Sequence, residues 1–370
     1  MTKNEKTLSD LREKMSAIND DLLANLNRFF SISNQIGQVK DTMGLPHFDP
    51  VREFEMLKDV LLKNRGPMPT SIMQQIFKEI FKASVEEMGS GSRRKLNVSR
   101  HSGKGGKIID LNGILIGAGH PVIISGPCAV EYSEQLRATA TYLKHLGIHL
   151  LRGGAFKPRS SPYSFQGLEE DALKMLKALA TELDMRVVTE VLTPEDIPLV
   201  EKYADILQIG SRNMYNYSLL KRIGKIHKPV LLKRGFMATI DEFILAAEYI
   251  YNGGNEQIIL CERGIRTFET QTRNTLDISA IPILKMETSL PVIVDISHSL
   301  GRKDIVFPIA HASLAAGADG LMFESHFNPP SALCDSHQQL DQCETEMLVA
   351  SLKKLYTFDI YASKPRSDVS

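Results

Sequence analysis

Tryptophan is absent from the chain, and cysteine is scarce. The four cysteines, Cys128, Cys261, Cys334 and Cys343, form no CxxC pair and no evenly spaced framework. That argues against a disulfide-stapled scaffold and fits buried or metal-bound thiols in a reducing cytoplasm. Net charge is missing too, since 44 basic residues balance 44 acidic ones. Without a basic excess there is no general surface for nucleic acid or for a membrane, so any anion site must be a local concentration of cations. No apolar run is long enough to span a bilayer. The N-terminal MTKNEKTLSD lacks the apolar core of a signal peptide. Short repeats and low-complexity runs are lacking as well. What is present, 43% hydrophobic and 24% charged residues over 370 positions, suits a globular protein of two domains, or one large barrel plus an appendage.

Residues 1–90 read as helical. Leu8, Leu11, Met15, Ile18, Leu22, Leu26, Phe29, Ile32, Ile36 and Val39 recur in steps of three and four. A helix of that length needs partner helices to be stable. Gly44, Pro46 and Pro50 break the pattern, which restarts at Pro50 behind Asp49 as a helix start. Gly66, Pro67 and Pro69 break it again before a third helix. Residues 91–106 have the polar, glycine-rich composition of a linker.

From 107 to 360 short β-branched runs alternate with room for helices: VIISGP, HLLRGGA, RVVTEV, ILQIGS, PVLLKRG, QIILCER, PVIVDISH and GLMFESH. Continuous apolar strands alternating with helices imply a parallel sheet covered by helices. Eight such units predict a closed (β/α)8 barrel rather than an open doubly wound sheet. Residues 361–370 read as a frayed tail.

In such a barrel the reacting groups stand where strands end. Those positions hold Cys128, Arg152, Lys157, Arg159, Glu190, Arg212, Lys233, Arg234, Arg263, Arg266, His298, Glu324 and His326, with Asp335 in the loop after the last strand. Any one of them alone would be a surface charge or a packed core residue. As a set they are not random, because the second, fourth, fifth and sixth strands all end in cations. The stretch LLRGGAFKPRSSP places three cations on a glycine-opened, proline-stiffened turn. Such a pocket suits a substrate with several negative charges. Cys128, His298, Glu324 and Asp335 form a second subset. A thiolate, an imidazole and two carboxylates can hold manganese, iron, cobalt or zinc.

The segments GPCAVE, RGGAFKPRSSPYSFQGL, QIGSRN, LLKRG, ILCERGIRTFETQTRNTLD, DISHSLGR and ESH with CDSHQQ closely resemble the 3-deoxy-D-arabino-heptulosonate-7-phosphate (DAHP) synthases. The resemblance is to the type that carries an N-terminal chorismate-mutase-like domain, and it covers nearly the whole chain. It implies condensation of phosphoenolpyruvate with erythrose 4-phosphate, the first step toward aromatic amino acids. It also implies a divalent metal, Mn2+ before Zn2+, Co2+ or Fe2+, held by Cys128, His298, Glu324 and Asp335. Arg152, Lys157, Arg212, Lys233 and Arg263 match phosphoenolpyruvate contacts. Arg159 and Ser160 match the erythrose 4-phosphate segment, with serine where threonine is usual. Lys157, Glu190 and His298 are the candidate catalytic residues. The alternatives are a 3-deoxy-D-manno-octulosonate-8-phosphate synthase, whose KANRSS differs from KPRSS here, a bifunctional enzyme with an active mutase, and a non-catalytic regulatory paralogue.

In the helical region Arg12, Lys40, Arg52, Glu53 and Ser84 match mutase site positions. Two positions depart: Phe29 replaces an arginine and Met88 a glutamine or glutamate. The loss of a guanidinium and of an ether-oxygen donor implies a weak or inactive mutase kept for regulation or assembly. Prephenate or chorismate is the candidate effector, and a homo-oligomer, dimer or tetramer, is expected because the family's helices intertwine.

Overall fold

The steps of three and four become three helices, α1 (Lys3–Thr42), α2 (Pro50–Lys63) and α3 (Thr70–Ser90). This computed structural model describes residues 2–43, 45, 49–90, 96–100, 105–157, 163 and 165–357, with Asp41 and residues 86–90 described by their backbone only. Asp49 starts α2: its carboxylate accepts the Arg52 N–H at 3.0 Å, and Pro50 takes the first turn, where its missing N–H costs nothing. α3 packs against both α1 and α2. Phe29 stacks on Phe81 with ring centres 6.2 Å apart, so it is part of the helical core. The N-terminal half of α1 is different. Leu8, Leu11, Met15, Ile18 and Leu22 remain about half exposed, an apolar stripe with no cover among the described residues.

The chain divides into two compact units, Met1–Leu96 and Asn97–Ser370. Part of the stretch expected as linker belongs to the second unit. Glu248 accepts N–H bonds from the Asn97 and Val98 backbone and from the Asn97 side chain, and Val98 is fully buried.

The second unit opens with a hairpin, β1 (Ile109–Leu111) and β2 (Ile114–Ile116). Asn112 and Gly113 form its turn with φ of 55° and 100°. Eight parallel strands then close a barrel: β3 (Val122–Gly126), β4 (Leu150–Arg152), β5 (Arg186–Val191), β6 (Ile206–Ile209), β7 (Val230–Lys233), β8 (Ile258–Glu262), β9 (Val292–Asp295) and β10 (Gly320–Glu324), with β10 pairing β3. The crossovers carry α4 (Ser133–His145), α5 (Glu169–Glu182), α6 (Ile197–Tyr203), α7 (Tyr217–Ile223), α8 (Ile240–Asn252) and α9 (Ala280–Glu287). A short α10 (Ile296–Leu300) follows β9, then come α11 (Val306–Ala315) and α12 (Gln342–Lys353). The four hairpin isoleucines and leucines share one core cluster with Val122, Ile124, Leu150, Val188 and their neighbours on the other strands. The hairpin therefore plugs the N-terminal mouth, and the C-terminal mouth is left for polar groups.

Candidate active site

Two close approaches shape the C-terminal mouth. Gly126 ends β3 at φ 151°, and a Cβ there would stand 2.0 Å from the Arg152 carbonyl oxygen. A Cβ on Gly154 would meet the Cys128 carbonyl at 2.6 Å. The glycines thus let the β3 and β4 exits touch, and the Gly154 N–H donates to that carbonyl at 3.2 Å.

The Cys128 loop gathers the first group. Lys157 Nζ lies 3.0 Å from Cys128 Sγ and donates to the Cys128 carbonyl at 3.0 Å. Arg152 reaches the same carbonyl at 3.3 Å while pairing with Glu324 at 2.9 Å. Cys128, Glu324 and Asp335 each bring one ligand atom within 4.8 Å of the others. His298 Nε2 adjoins them, 3.5 Å from Glu324 and 3.9 Å from Asp335. Asp335 has φ 49°, in the left-handed region that aspartate enters more readily than most residues other than glycine. Arg273 pairs with it at 3.3 Å.

A second layer orients this group. Asp295 is fully buried. It accepts from the His298 backbone N–H at 3.0 Å and lies 2.8 Å from His298 Nδ1 and 2.5 Å from Lys233 Nζ. That contact assigns the Nδ1 proton to the Asp295 side and turns Nε2 toward the carboxylates. Gln338 donates to Glu324 at 2.6 Å, and Gln339 accepts the Cys128 N–H at 2.9 Å.

The electrostatics follow from burial and neighbours. Burial outweighs Asp295 and keeps the His298 imidazole below its ordinary value, hence neutral. Burial would raise Asp335, but Arg273, the imidazolium that His298 becomes in acid, and Lys157 hold it down to about 2. Burial likewise opposes ionisation of Glu324, and His298, protonated in the acid range where the carboxylate titrates, and Arg152 overcome it. The hydrogen bond with Cys334, burial and the Glu324 charge push the Cys128 thiol up, against the pull of Lys157. A divalent cation would displace that thiol proton on binding.

The remaining expected residues are placed as follows. Lys233 and Arg263 are buried at the mouth, and burial lowers Arg263 to about 10. Arg212 and Arg263 both stand over the Phe236 ring, 5.5 and 4.7 Å from its centre. Glu190, on β5, accepts from Gln208 at 3.3 Å and makes no direct bond to the Cys128 group. Arg159 and Ser160 lie outside the described residues. Arg234 is turned away: it is buried in pairs with Glu262 at 2.8 Å and Asp277 at 3.0 Å. Strand alternation explains this, since its neighbour Lys233 takes the inward position.

Asp295, Gln338, Gln339, Arg273 and Phe236 were not singled out in the sequence reading. Only Asp295 carried a local signal: an aspartate three residues before a histidine at a strand end can cap the helix and orient the imidazole together.

In the helical unit Lys40, Arg52, Glu53 and Ser84 lie on or beside helices that pack together, but Arg12 does not join them. Arg12 and Lys40 are 28 residues apart on one helix, about 42 Å at 1.5 Å per residue. Ser84 is buried and its hydroxyl donates to the Phe81 carbonyl at 2.8 Å; Arg52 pairs with Glu55 at 3.4 Å. The Met88 side chain lies outside the described residues.

Comparison with known proteins agrees with this layout. Residues 95–358 match the DAHP synthetase I family, and residues 11–88 match chorismate mutase type II. The Phospho-2-dehydro-3-deoxyheptonate aldolase of Thermotoga maritima is 55% identical over 258 residues, covering 70% of this chain and 76% of that protein. The 2-dehydro-3-deoxyphosphooctonate aldolase of Desulfosudis oleivorans is 31% identical over 263 residues, covering 66% and 94%. The crystal structure of a DAHP synthase from Thermotoga maritima superposes with a TM-score of 0.69 at 54% identity, covering 70% of this chain and 76% of that one. A truncated form of the synthase from the same organism gives 0.65 at 51% identity, covering 70% and 95%.

Proposed function

The chain belongs to the DAHP synthetase I family, and from that premise we propose that its barrel condenses phosphoenolpyruvate, erythrose 4-phosphate and water to DAHP and inorganic phosphate. The observation that carries this reading is the convergence of Cys128, Glu324 and Asp335, with His298 beside them, against the cations Arg152 on Glu324 and Lys157 on Cys128. The donor set fits a divalent transition metal: one soft thiolate, one neutral imidazole and two carboxylates, with an Asp295–His298 contact behind it. Bound there, Mn2+ foremost, or Zn2+, Co2+ or Fe2+, would supply Lewis-acid polarisation of the sugar aldehyde.

The protein's own groups do the rest. Arg152, Lys157, Arg212, Lys233 and Arg263 hold phosphoenolpyruvate, and Arg159 with Ser160 holds the sugar phosphate. Together they offset the mutual repulsion of two anions and place carbon three of the enol against the aldehyde carbon. Positive character then develops at carbon two, water adds there, and the resulting hemiketal phosphate releases phosphate. On this reading Glu190, His298 and Lys157 move the protons in these steps.

For the helical unit we read a weak or inactive mutase with a regulatory or assembly role. Phe29 is committed to the core stack, which removes a guanidinium from the site. The bare stripe of α1 and the distance of Arg12 favour a dimer in which a second copy covers the stripe and supplies Arg12. Prephenate or chorismate is the effector chemistry the remaining cations fit. Among the described residues no helix is long and apolar enough to cross a membrane, and the free thiols favour a cytoplasmic setting.

The test is phosphoenolpyruvate consumption with erythrose 4-phosphate and with arabinose 5-phosphate, each with and without chelator. Turnover with the four-carbon sugar that stops on chelation is expected. Turnover with the five-carbon sugar alone would move the chain to octulosonate chemistry, and full activity after rigorous chelation would remove the metal.

A further inference from the structure

Phe236 lies just beyond the end of β7, half-buried, and three guanidinium groups converge on its ring. Arg263 and Arg266 stand 4.7 Å from the ring centre and Arg212 stands 5.5 Å away. Among the described residues none of the three has a carboxylate within ion-pair distance. Among the described residues the Arg263 guanidinium donates only to the carbonyls of His298 and Gly264, while its backbone N–H donates to the Glu262 carboxylate. Like charges collected without counter-charge repel one another, and an aromatic face offsets part of that repulsion by drawing cations to its quadrupole. The backbone reinforces the arrangement. The Arg266 N–H donates to the Phe236 carbonyl at 2.7 Å. Arg234 Nε donates to Ala238 at 3.0 Å, while its guanidinium pairs with Glu262 and Asp277. That clamp fixes the turn carrying Phe236 to the loop carrying Arg263 and Arg266.

We propose that Phe236 is a positioning residue for a three-arginine phosphate cradle, and that Arg266 is its third grip on the phosphoryl group of phosphoenolpyruvate. The inference rests on the proposed reading, which already gives Arg212 and Arg263 to that substrate, and it adds a ligand group and the platform that aims all three. Forked guanidiniums around one point match the three oxygens of a phosphoryl group. Phe236 acts through the arginines and touches no reacting atom.

Kinetics of the full-length enzyme test it. R266A and F236L should raise KM for phosphoenolpyruvate by about tenfold or more, leave KM for erythrose 4-phosphate within about twofold, and change kcat by less than about threefold. Phe236→Tyr keeps the ring and should restore wild-type values, which a loss of folding could not mimic. Inorganic phosphate, titrated calorimetrically, should bind R266A about tenfold more weakly than wild type, a readout independent of turnover. A wild type that makes no product from the two substrates sinks the proposed function, and the phosphate titration then still decides on the cradle. Unchanged phosphate affinity in R266A, a KM effect confined to erythrose 4-phosphate, or loss of kcat alone overturns the inference.

Discussion

Asp295→Asn should weaken divalent-metal binding by about 10–100-fold while leaving every candidate ligand in place. The buried carboxylate meets three partners: His298 Nδ1, the His298 backbone N–H and Lys233 Nζ, at 2.8, 3.0 and 2.5 Å. An amide offers one acceptor where the carboxylate offers two, so the imidazole loses the charge that fixes its tautomer and raises its basicity. The expected loss corresponds to about 1.4–2.7 kcal/mol in metal affinity. A separate effect falls on stability. Lys233 is nearly inaccessible, and removing its only short carboxylate contact among the described residues leaves a buried charge uncompensated. Breaking such a pair by deleting one partner typically costs about 3–5 kcal/mol. The two effects can be separated. Lys233→Met added to Asp295→Asn should recover thermal stability, because the orphaned charge is gone, yet metal affinity should stay low. Titration of chelator-treated protein with Mn2+, together with melting curves, reads both. Unchanged metal affinity in the single variant, or affinity that returns in the double variant, refutes the reasoning that His298 binds through an Asp295-set tautomer.

Gly210→Ala isolates Glu190. The backbone there, φ −71° and ψ 159°, accepts alanine, but the new Cβ would lie 2.0 Å from Glu190 Oε1 and must displace it. If Glu190 moves protons, kcat should fall by at least about tenfold, within the ~10²–10⁴-fold scale of general acid–base catalysis, with little change in KM. His149 should make stability fall in mild acid. Burial and then the Lys144 ammonium, 3.2 Å away, hold it below the ordinary 6.5. Below that value the unfolded chain takes up a proton that the folded one refuses, so stability drops as pH falls toward the folded pKa; above it both forms are neutral and the group contributes nothing. His149→Gln should therefore lose less melting temperature than wild type between pH 7 and pH 5. On the proposed reading of the helical unit, the full chain given chorismate should form only traces of prephenate, since Phe29 offers the transition state no guanidinium, a difference on the order of several kcal/mol. Turnover near the enzymatic median of about 10 s⁻¹ would refute that.

How much of this was legible in the sequence depends on range. Each barrel strand announces itself because helices and barrel interior bury both its faces, giving continuous runs such as VIIS and IVD. The β1–β2 hairpin was equally local, an Asn-Gly pair between alternating apolar residues, and was passed over because its strands are only three residues long. Distances along one helix are also readable, so the separation of Arg12 from Lys40 needs only the rise per residue. The direction of a side chain at a strand end is harder. Lys233 and Arg234 are neighbours in sequence with the same charge, yet one meets Asp295 at the barrel mouth and the other is locked between Glu262 and Asp277. Period two separates them only once the register is known.

What no local pattern carries is partnership across the barrel. Gln338 and Gln339 are consecutive and chemically identical, but one donates to Glu324 and the other braces the Cys128 backbone from 211 positions away. The same limit hid Phe236. A phenylalanine after a strand is an ordinary core residue until three arginines from two loops are found over its ring. The sequence shows which side chains carry charge. Which charges are neutralised, as with Arg234, and which stand with no carboxylate within ion-pair distance among the described residues, as with Arg212, Arg263 and Arg266, is settled by which carboxylates closure of the barrel brings alongside. The cost of desolvation falls on Arg263, which is buried and lowered to about 10, while Arg212 and Arg266 stay exposed to solvent.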